Sequence, residues 1–234
     1  HATFTINAGE IISLAGVDNN GQKQLVEAIT GIIPSTGEIF LCGENVTGQK
    51  IRYRNTHGLS HIPEDRQRHG LVMEFSISEN SILQEYFIEE FQRNGFIKKT
   101  VVDKYADELI EEYDIRAGMG RETTAGSLSG GNQQKLILAR ELEREHELVI
   151  AVQSTRGLDV GATEFVQKQL IAQRNAGKAV FLISLELEEV MSLSDRILVI
   201  HDGKIVASDL IPSEIDMTEL GMYMAGSKGV NNNA

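Results

Sequence analysis

The eight residues Leu128–Lys135, LSGGNQQK, constrain the fold of this chain more than any other stretch. A serine followed by two glycines gives a loop whose backbone N–H groups are not covered by side chains. The apolar-periodic run KLILARELERE follows directly, so the stretch predicts a helix whose N-terminus can face an anion. Two interpretations stay open at this point, a plain N-capped helix start and a phosphate-binding surface.

A second glycine loop lies near the start of the chain. Ile11–Ala15 predicts a buried strand and Gly16–Gln24 a polar loop. A helix follows, with Leu25, Val26, Ala28 and Ile29 on its buried side. Strand, glycine loop and helix in this order are the context of a phosphate-binding loop, whose pattern is G-x-x-x-x-G-K-[ST]. Gly16 and Gly21 match its two glycines.

The positions that carry chemistry in this pattern are altered. Gln22 stands where the lysine belongs, Lys23 stands where the hydroxyl residue belongs, and Gln24 follows. One helical residue turns a side chain by about 100°, so we expect Lys23 to point away from a bound phosphate. No hydroxyl remains there to hold Mg²⁺, and Asp18 adds a negative charge to the loop. A plain strand–turn–helix and a weak anion-binding nest both stay open.

The middle of the chain changes character. Phe4–Ile6, Thr36–Gly43 and Gly58–Pro63 look like short strands, whereas Ser78–Tyr113 has apolar residues at i, i+3 and i+4 and lacks strand signals. The acidic runs of this block are predicted to be solvated helix faces. Strand and helix patterns alternate again from Glu147 to the end, with a polar loop at 153–159, strands at 147–152 and 179–183, a helix at 160–176, a hairpin at 196–207 and a helix at 213–225.

These patterns predict an α/β fold with an insertion. The predicted division is core at 1–63 with an antiparallel β subdomain, an inserted helical subdomain at 64–140, core at 141–225, and a flexible tail at 226–234. The chain begins in the middle of a strand pattern, so we expect a domain of a longer protein.

Charge and composition exclude several functions. The net charge of −12 without a long basic run disfavours a non-specific nucleic-acid binder. A single cysteine, Cys42, excludes an internal disulfide framework. Apolar runs are only strand-length, so we expect no membrane-spanning segment. His57, His61 and His69 lack flanking acidic or cysteine ligands, and no metal site is predicted there.

The order of these motifs identifies a family. LSGGNQQK, the later TRGLDVGA and the upstream PEDR together resemble the ATP-binding domain of ABC transporters. They are most similar to the second ATP-binding domain of tandem ATPases that drive importers of simple sugars and nucleosides, and Gln153-x-Thr155 favours the nucleoside branch. The resemblance implies a P-loop NTPase core with a parallel sheet, ATP and Mg²⁺ as cofactors, and a peripheral place on the cytoplasmic face of the membrane. Implied partners are the other ATP-binding domain, permease subunits and, indirectly, an extracellular substrate-binding protein, with no nucleic acid.

Residues that a family member uses on its own nucleotide are replaced here. The family has Asp-Glu, for Mg²⁺ and for water activation, where this chain has Val152 and Gln153. Leu185 stands at the switch histidine, and Glu64 matches the glutamine of the Q-loop. The aromatic that stacks on adenine belongs before Phe4. The resemblance therefore implies no catalytic residue and no metal ligand in the chain's own site.

Residues that a family member offers to its partner's nucleotide are kept. They are the signature loop, Leu128, Ser129, Gly130, Gly131 and Asn132, and the D-loop aspartate, Asp159. Family domains sandwich ATP head to tail, so the resemblance implies one competent and one impaired site. A structural or regulatory domain with vestigial nucleotide sites is the alternative.

Three arginines allow several interpretations. Arg66 and Arg68 are expected to form a surface ion-pair cluster with Glu64, although a permease contact is also possible for them. Arg156 could anchor its loop or belong to the dimer face.

Overall fold

The computed structural model describes residues 2–228 of the 234-residue chain. The strands are β1 Ile11–Ala15, β2 Phe40–Leu41, β3 Glu44–Asn45, β4 Leu59–Ile62, β5 Gln92–Arg93, β6 Phe96–Ile97, β7 Leu148–Val152, β8 Ala179–Ile183, β9 Arg196–His201 and β10 Lys204–Leu210. The α-helices are α1 Gln22–Thr30, α2 Ile51–Thr56, α3 Ile77–Ser81, α4 Lys99–Glu112, α5 Gly130–Glu143, α6 Val160–Asn175, α7 Leu187–Leu193 and α8 Met217–Met224.

The central sheet has six strands in the order β10-β9-β1-β8-β7-β4. Strand β1 runs parallel to β8 and β9, β7 runs parallel to β8, and β10 pairs antiparallel with β9. Leu14 aligns with Ile183 on one side and with Leu198 on the other. Parallel strands that are buried on both faces have continuous apolar sequences. Strands β1, β8 and β9 are therefore recognisable from the sequence. The predicted α/β fold is confirmed.

Alternate residues of the central strands enter two different cores. Ile12 and Leu14 of β1 join a cluster with Val26 of α1, whereas Ala15 joins a cluster with Val190 of α7. The second cluster also contains Ile197, Val199, Leu220 and Met224. This period of two places one helical layer on each face of the sheet. The central strands are thereby packed on both faces.

The chain divides into two compact units. The first contains the described parts of 1–61, 146–153 and 167–234, and the second contains 62–145 and 154–166. The first unit carries most of the six-stranded sheet. The second contains α3, α4 and α5, and one of its apolar clusters is built from Ile82, Phe91 and Val102.

Two local predictions were wrong. Phe4–Ile6 forms no strand, although the Phe4 ring lies 5.4 Å from that of Phe181. The helical pattern predicted over Ser78–Tyr113 is interrupted between α3 and α4 by the β5–β6 hairpin. Asn94 and Gly95 have φ of 52° and 83° at its turn, and Asn-Gly favours such a turn because both residues tolerate positive φ. That turn overrides the helical spacing on either side of it.

The chain's end is only partly described. Of the predicted tail 226–234, residues 229–234 lie outside the described residues, whereas Ser227 and Lys228 donate backbone hydrogen bonds to the Met222 carbonyl. None of the helices in residues 2–228 combines the length and the apolar character needed to cross a membrane.

Candidate functional site

The loop between β1 and α1 is closed by Gln22, the first residue of α1. Gln22 is buried, with 7% of its surface exposed. Its amide Nε2 donates to the Val17 carbonyl at 2.9 Å, and its Oε1 accepts the Asn20 N–H at 3.0 Å. A phosphate-binding loop instead aims such N–H groups at the ligand. The Gln22 carboxamide therefore takes up the Asn20 N–H, a donor that a phosphate oxygen would otherwise accept from.

The turn after β9 packs against the same loop. The Asn20 carbonyl accepts the Gly203 N–H at 2.9 Å, and its side-chain oxygen accepts the Asp202 N–H at 3.3 Å. A Cβ on Gly16 would lie 2.6 Å from Gln22 Nε2 and 2.7 Å from the Ile200 carbonyl oxygen. Glycine is required at position 16 because neighbouring groups approach the backbone so closely.

The rest of the loop does not fit a nucleotide's phosphates or Mg²⁺. Lys23 points to solvent with 72% of its side chain exposed, and its Nζ lies 3.8 Å from Glu27. The Asn19 N–H is taken by the Asp18 carboxylate at 2.9 Å. Gln24 is exposed on α1. The loop presents no lysine to a phosphate and no hydroxyl to Mg²⁺.

The carboxyl end of β7 is apolar where a metal ligand would stand. Val152 is 8% exposed and packs in the cluster that contains Ile183. Gln153 donates its N–H to the Ile183 carbonyl at 2.7 Å and has a φ of 44°. Leu185 follows β8 and is half-buried. Valine, a neutral amide and leucine cannot bind a hard cation as a carboxylate does or accept a proton from water at neutral pH. Residues 2–228 contain no group of three or more His, Cys, Asp or Glu able to hold a metal.

In the second unit, the signature loop forms the N-terminus of α5. Ser129 is the N-cap, and its Oγ accepts hydrogen bonds from the Asn132 side-chain amide at 2.9 Å and the Asn132 N–H at 3.4 Å. Asn132 Oδ1 in turn accepts the Arg116 N–H at 2.9 Å. Leu128 is buried, whereas Ser129 is exposed. Buried Leu128 anchors the loop, and the cap residue is left at the surface.

The D-loop aspartate lies beside the signature glycines. Asp159 Oδ1 accepts the Ala162 N–H at 2.9 Å, which caps the start of α6. A Cβ on Gly131 would lie 3.3 Å from the Ala162 Cβ and 3.8 Å from Asp159 Oδ2. The small residue therefore lets α5 approach the D-loop, and the two kept motifs share one surface.

A pair of arginines borders this surface. Arg156 Nη1 donates to the Glu64 carboxylate at 2.6 Å, and Arg66 Nη1 donates to the Arg156 carbonyl at 3.2 Å. The expectation that Arg66 and Arg68 form the ion pair with Glu64 was wrong, because Arg156 pairs with it from across 92 residues of sequence. Asp65 instead accepts the N–H groups of Gln67 and Arg68, and these backbone hydrogen bonds lower the pKa of Asp65 despite some desolvation.

Sequence reasoning missed two of these arrangements. The inward Gln22 carboxamide was not foreseen, although a polar residue at a buried helix position was a signal for it. The contact of Arg66 with the D-loop had no local signal, since 90 residues separate the partners.

Comparisons with known proteins identify the family of the chain. The family model "ABC transporter" matches residues 1–151. A guanosine import ATP-binding protein from Bacillus subtilis is 50% identical over 96% of this chain, and a nucleoside import ATP-binding protein from Lactococcus lactis is 47% identical over 96%. The chain spans 44% of the length of each.

Solved structures show the same fold. A nucleotide-free ATP-binding cassette from an ABC transporter superposes with a TM-score of 0.76 at 19% identity, covering 94% of this chain and 90% of that one. A dimeric cassette bound to ADP and phosphate has a TM-score of 0.72 at 20% identity, covering 88% and 87%. The chain belongs to the ABC transporter family and has the fold of its ATP-binding domain.

Proposed function

We propose that this chain is the second ATP-binding domain of a tandem importer ATPase and completes the ATP site of the other domain. One observation carries the proposal. The chain presents an intact signature loop and D-loop at one surface of its second unit, whereas the loop between β1 and α1 is closed by Gln22.

The chain's own site is proposed to be hydrolytically impaired. Phosphoryl transfer depends on positioning and charge stabilisation of the γ-phosphate rather than on covalent chemistry. Lys23 is turned to solvent, Val152 is in the core, and Gln153 cannot act as a base. Because lysine, metal ligand and base are lost together, we expect the isolated domain to be inactive.

The signature loop is suited to bind a phosphate on another domain. Ser129 Oγ accepts two hydrogen bonds and still has its own hydrogen to donate. The first N–H groups of a helix have no partner inside the helix, and the dipole there favours an anion. Glycines at 130 and 131 leave these groups uncovered. The partner domain would supply the lysine and the Mg²⁺ ligands.

Transport is the role inferred from the relatives. The two curated relatives are named for import of guanosine and of nucleosides, and a third, from Haloferax volcanii and 38% identical, is named for glucose. We infer import of a nucleoside or simple sugar, with permease subunits and a substrate-binding protein as partners and a place on the cytoplasmic face of the membrane. The predicted helical insertion, 64–140, would contact the permease.

Substitution of the signature serine tests this function. In the complete transporter, Ser129→Arg fills the phosphate-facing surface with a side chain, so uptake of radiolabelled nucleoside should fall to background. Gln22→Ala serves as the control and should transport at close to the wild-type rate. Normal uptake by the Ser129→Arg transporter would instead support the alternative, a structural or regulatory domain with vestigial nucleotide sites.

A further inference from the structure

Arg66 lies against both the signature loop and the D-loop of the second unit. A Cβ on Gly130 would lie 3.5 Å from Arg66 Nη2, and a Cβ on Gly157 would lie 3.6 Å from the same atom. Gly130 is the first residue of α5, and Gly157 precedes the D-loop aspartate. The guanidinium of Arg66 therefore lies close to the backbone of both loops.

The positive charge of Arg66 lies close to the N-terminus of α5. The N-terminus of a helix carries the positive end of its dipole, which disfavours a nearby cation. Arg156 brings a second positive charge, and that charge is paired with Glu64 at 2.6 Å. Within residues 2–228, no carboxylate forms a salt bridge with Arg66. The Asp65 side chain accepts backbone N–H groups, and Asp159 Oδ1 accepts the Ala162 N–H.

The backbone of the segment that carries Arg66 is fixed by local hydrogen bonds and packing. Arg66–Gly70 forms a single π-helical turn, with Asp65 as its N-cap. Gly70 packs tightly, since a Cβ there would lie 2.5 Å from Ile137 Cδ1 of α5. Arg66 Nη1 also donates to the Arg156 carbonyl. The guanidinium is therefore anchored through one nitrogen, and a fork of further donors remains on the other two.

We propose that Arg66 is a further catalytic residue that binds the γ-phosphate of the ATP held by the partner domain. The proposal rests on the proposed function, because it places Arg66 at the same composite site as Ser129. In the reaction, the oxygen of water bonds to the γ-phosphorus while the bond from that phosphorus to the ADP oxygen breaks. ADP and inorganic phosphate leave, and one proton passes to solvent. Arg66 stabilises negative charge on the γ-phosphoryl oxygens as that exchange proceeds.

ATP turnover by the complete transporter distinguishes this role from a structural one. Arg66→Gln removes the charge but keeps an N–H donor for the Arg156 carbonyl. We expect kcat to fall about 100-fold, with a change in KM of less than about 3-fold. Arg66→Lys keeps the charge without the planar fork, so an intermediate kcat is expected. Arg68→Gln is the matched control, because Arg68 is exposed on the same turn, and wild-type turnover is expected.

A second measurement addresses the γ-phosphate contact directly. Orthovanadate takes the place of the γ-phosphate and traps ADP, so Arg66→Gln should reduce trapping about 10-fold or more while ADP affinity stays unchanged. Wild-type turnover and trapping in Arg66→Gln would overturn the role of Arg66. If both Arg66→Gln and Ser129→Arg retained wild-type turnover, the composite site itself would be refuted. If Ser129→Arg abolished turnover and Arg66→Gln did not, only the role of Arg66 would be refuted.

Discussion

Replacing Gln22 by alanine removes the group that closes the loop after β1. The change deletes two hydrogen bonds, one to the Val17 carbonyl and one from the Asn20 N–H. Each is worth about 1 kcal/mol of stability. Loss of the packed Cγ methylene adds about 0.8 kcal/mol, and water can enter beside exposed Val17 to satisfy the freed groups in part. We expect the free energy of unfolding to fall by about 2 kcal/mol.

Thermal and urea unfolding measure this change. For a chain of this size, 1 kcal/mol lowers Tm by about 2–4 °C, so Gln22→Ala should lower it by about 4–8 °C. Gln24→Ala on the exposed side of the same helix is the control and should leave Tm unchanged. Mg·ATP should leave Tm unchanged in the wild type and in both variants. A ligand bound at about 100 times its Kd would instead raise the free energy of unfolding by about 2.7 kcal/mol. A wild-type Tm in Gln22→Ala would refute the closing role of this side chain.

Two further changes test the framework of the fold. Gly16→Ala places a methyl group 2.7 Å from the Ile200 carbonyl oxygen, and we expect a loss of about 2–3 kcal/mol in urea unfolding, with Gly37→Ala, in open space, as the neutral control. Burial raises the pKa of Glu10, but hydrogen bonds from Arg196 and Asn7 outweigh it and lower the pKa overall. That stabilisation is present above the ordinary pKa of 4.5 and is lost as the pH falls through the lowered value. Glu10→Gln should therefore cost about 1–2 kcal/mol at pH 7 and flatten the acid unfolding profile below pH 4.5; an unchanged profile would contradict the pairing.

Local patterns were sufficient for most of the central sheet. Ala179–Ile183 and Arg196–His201 were expected at the bounds that the structure has, because buried strands are apolar runs ended by polar or glycine residues. Short helices are harder to predict from the sequence. Ile51–Thr56 has no side-chain cap, and its buried Arg54 is held by carbonyls of residues 28, 29, 47 and 49. Such a helix is determined by tertiary contacts rather than by propensity.

The candidate site shows the same limit. Helical rotation alone predicts that a lysine displaced by one position leaves the loop, and Lys23 is found at the surface. The sequence does not indicate that Gln22 folds back to Val17, because this depends on the path of the loop. Glu64 and Arg156 are far apart in sequence, so their pairing cannot be predicted from residue spacing.

ATP turnover by the complete transporter tests the proposed function most directly, with substitutions made one at a time in the signature loop and in the loop after β1. If this chain completes the partner's site, Ser129→Arg should reduce turnover to background, because the arginine side chain occupies the place of the partner's phosphate. Gln22→Ala, in the closed loop, should leave turnover within about 2-fold of wild type, since no chemistry is assigned there. The opposite pattern, with turnover kept by Ser129→Arg and lost by Gln22→Ala, would contradict the account.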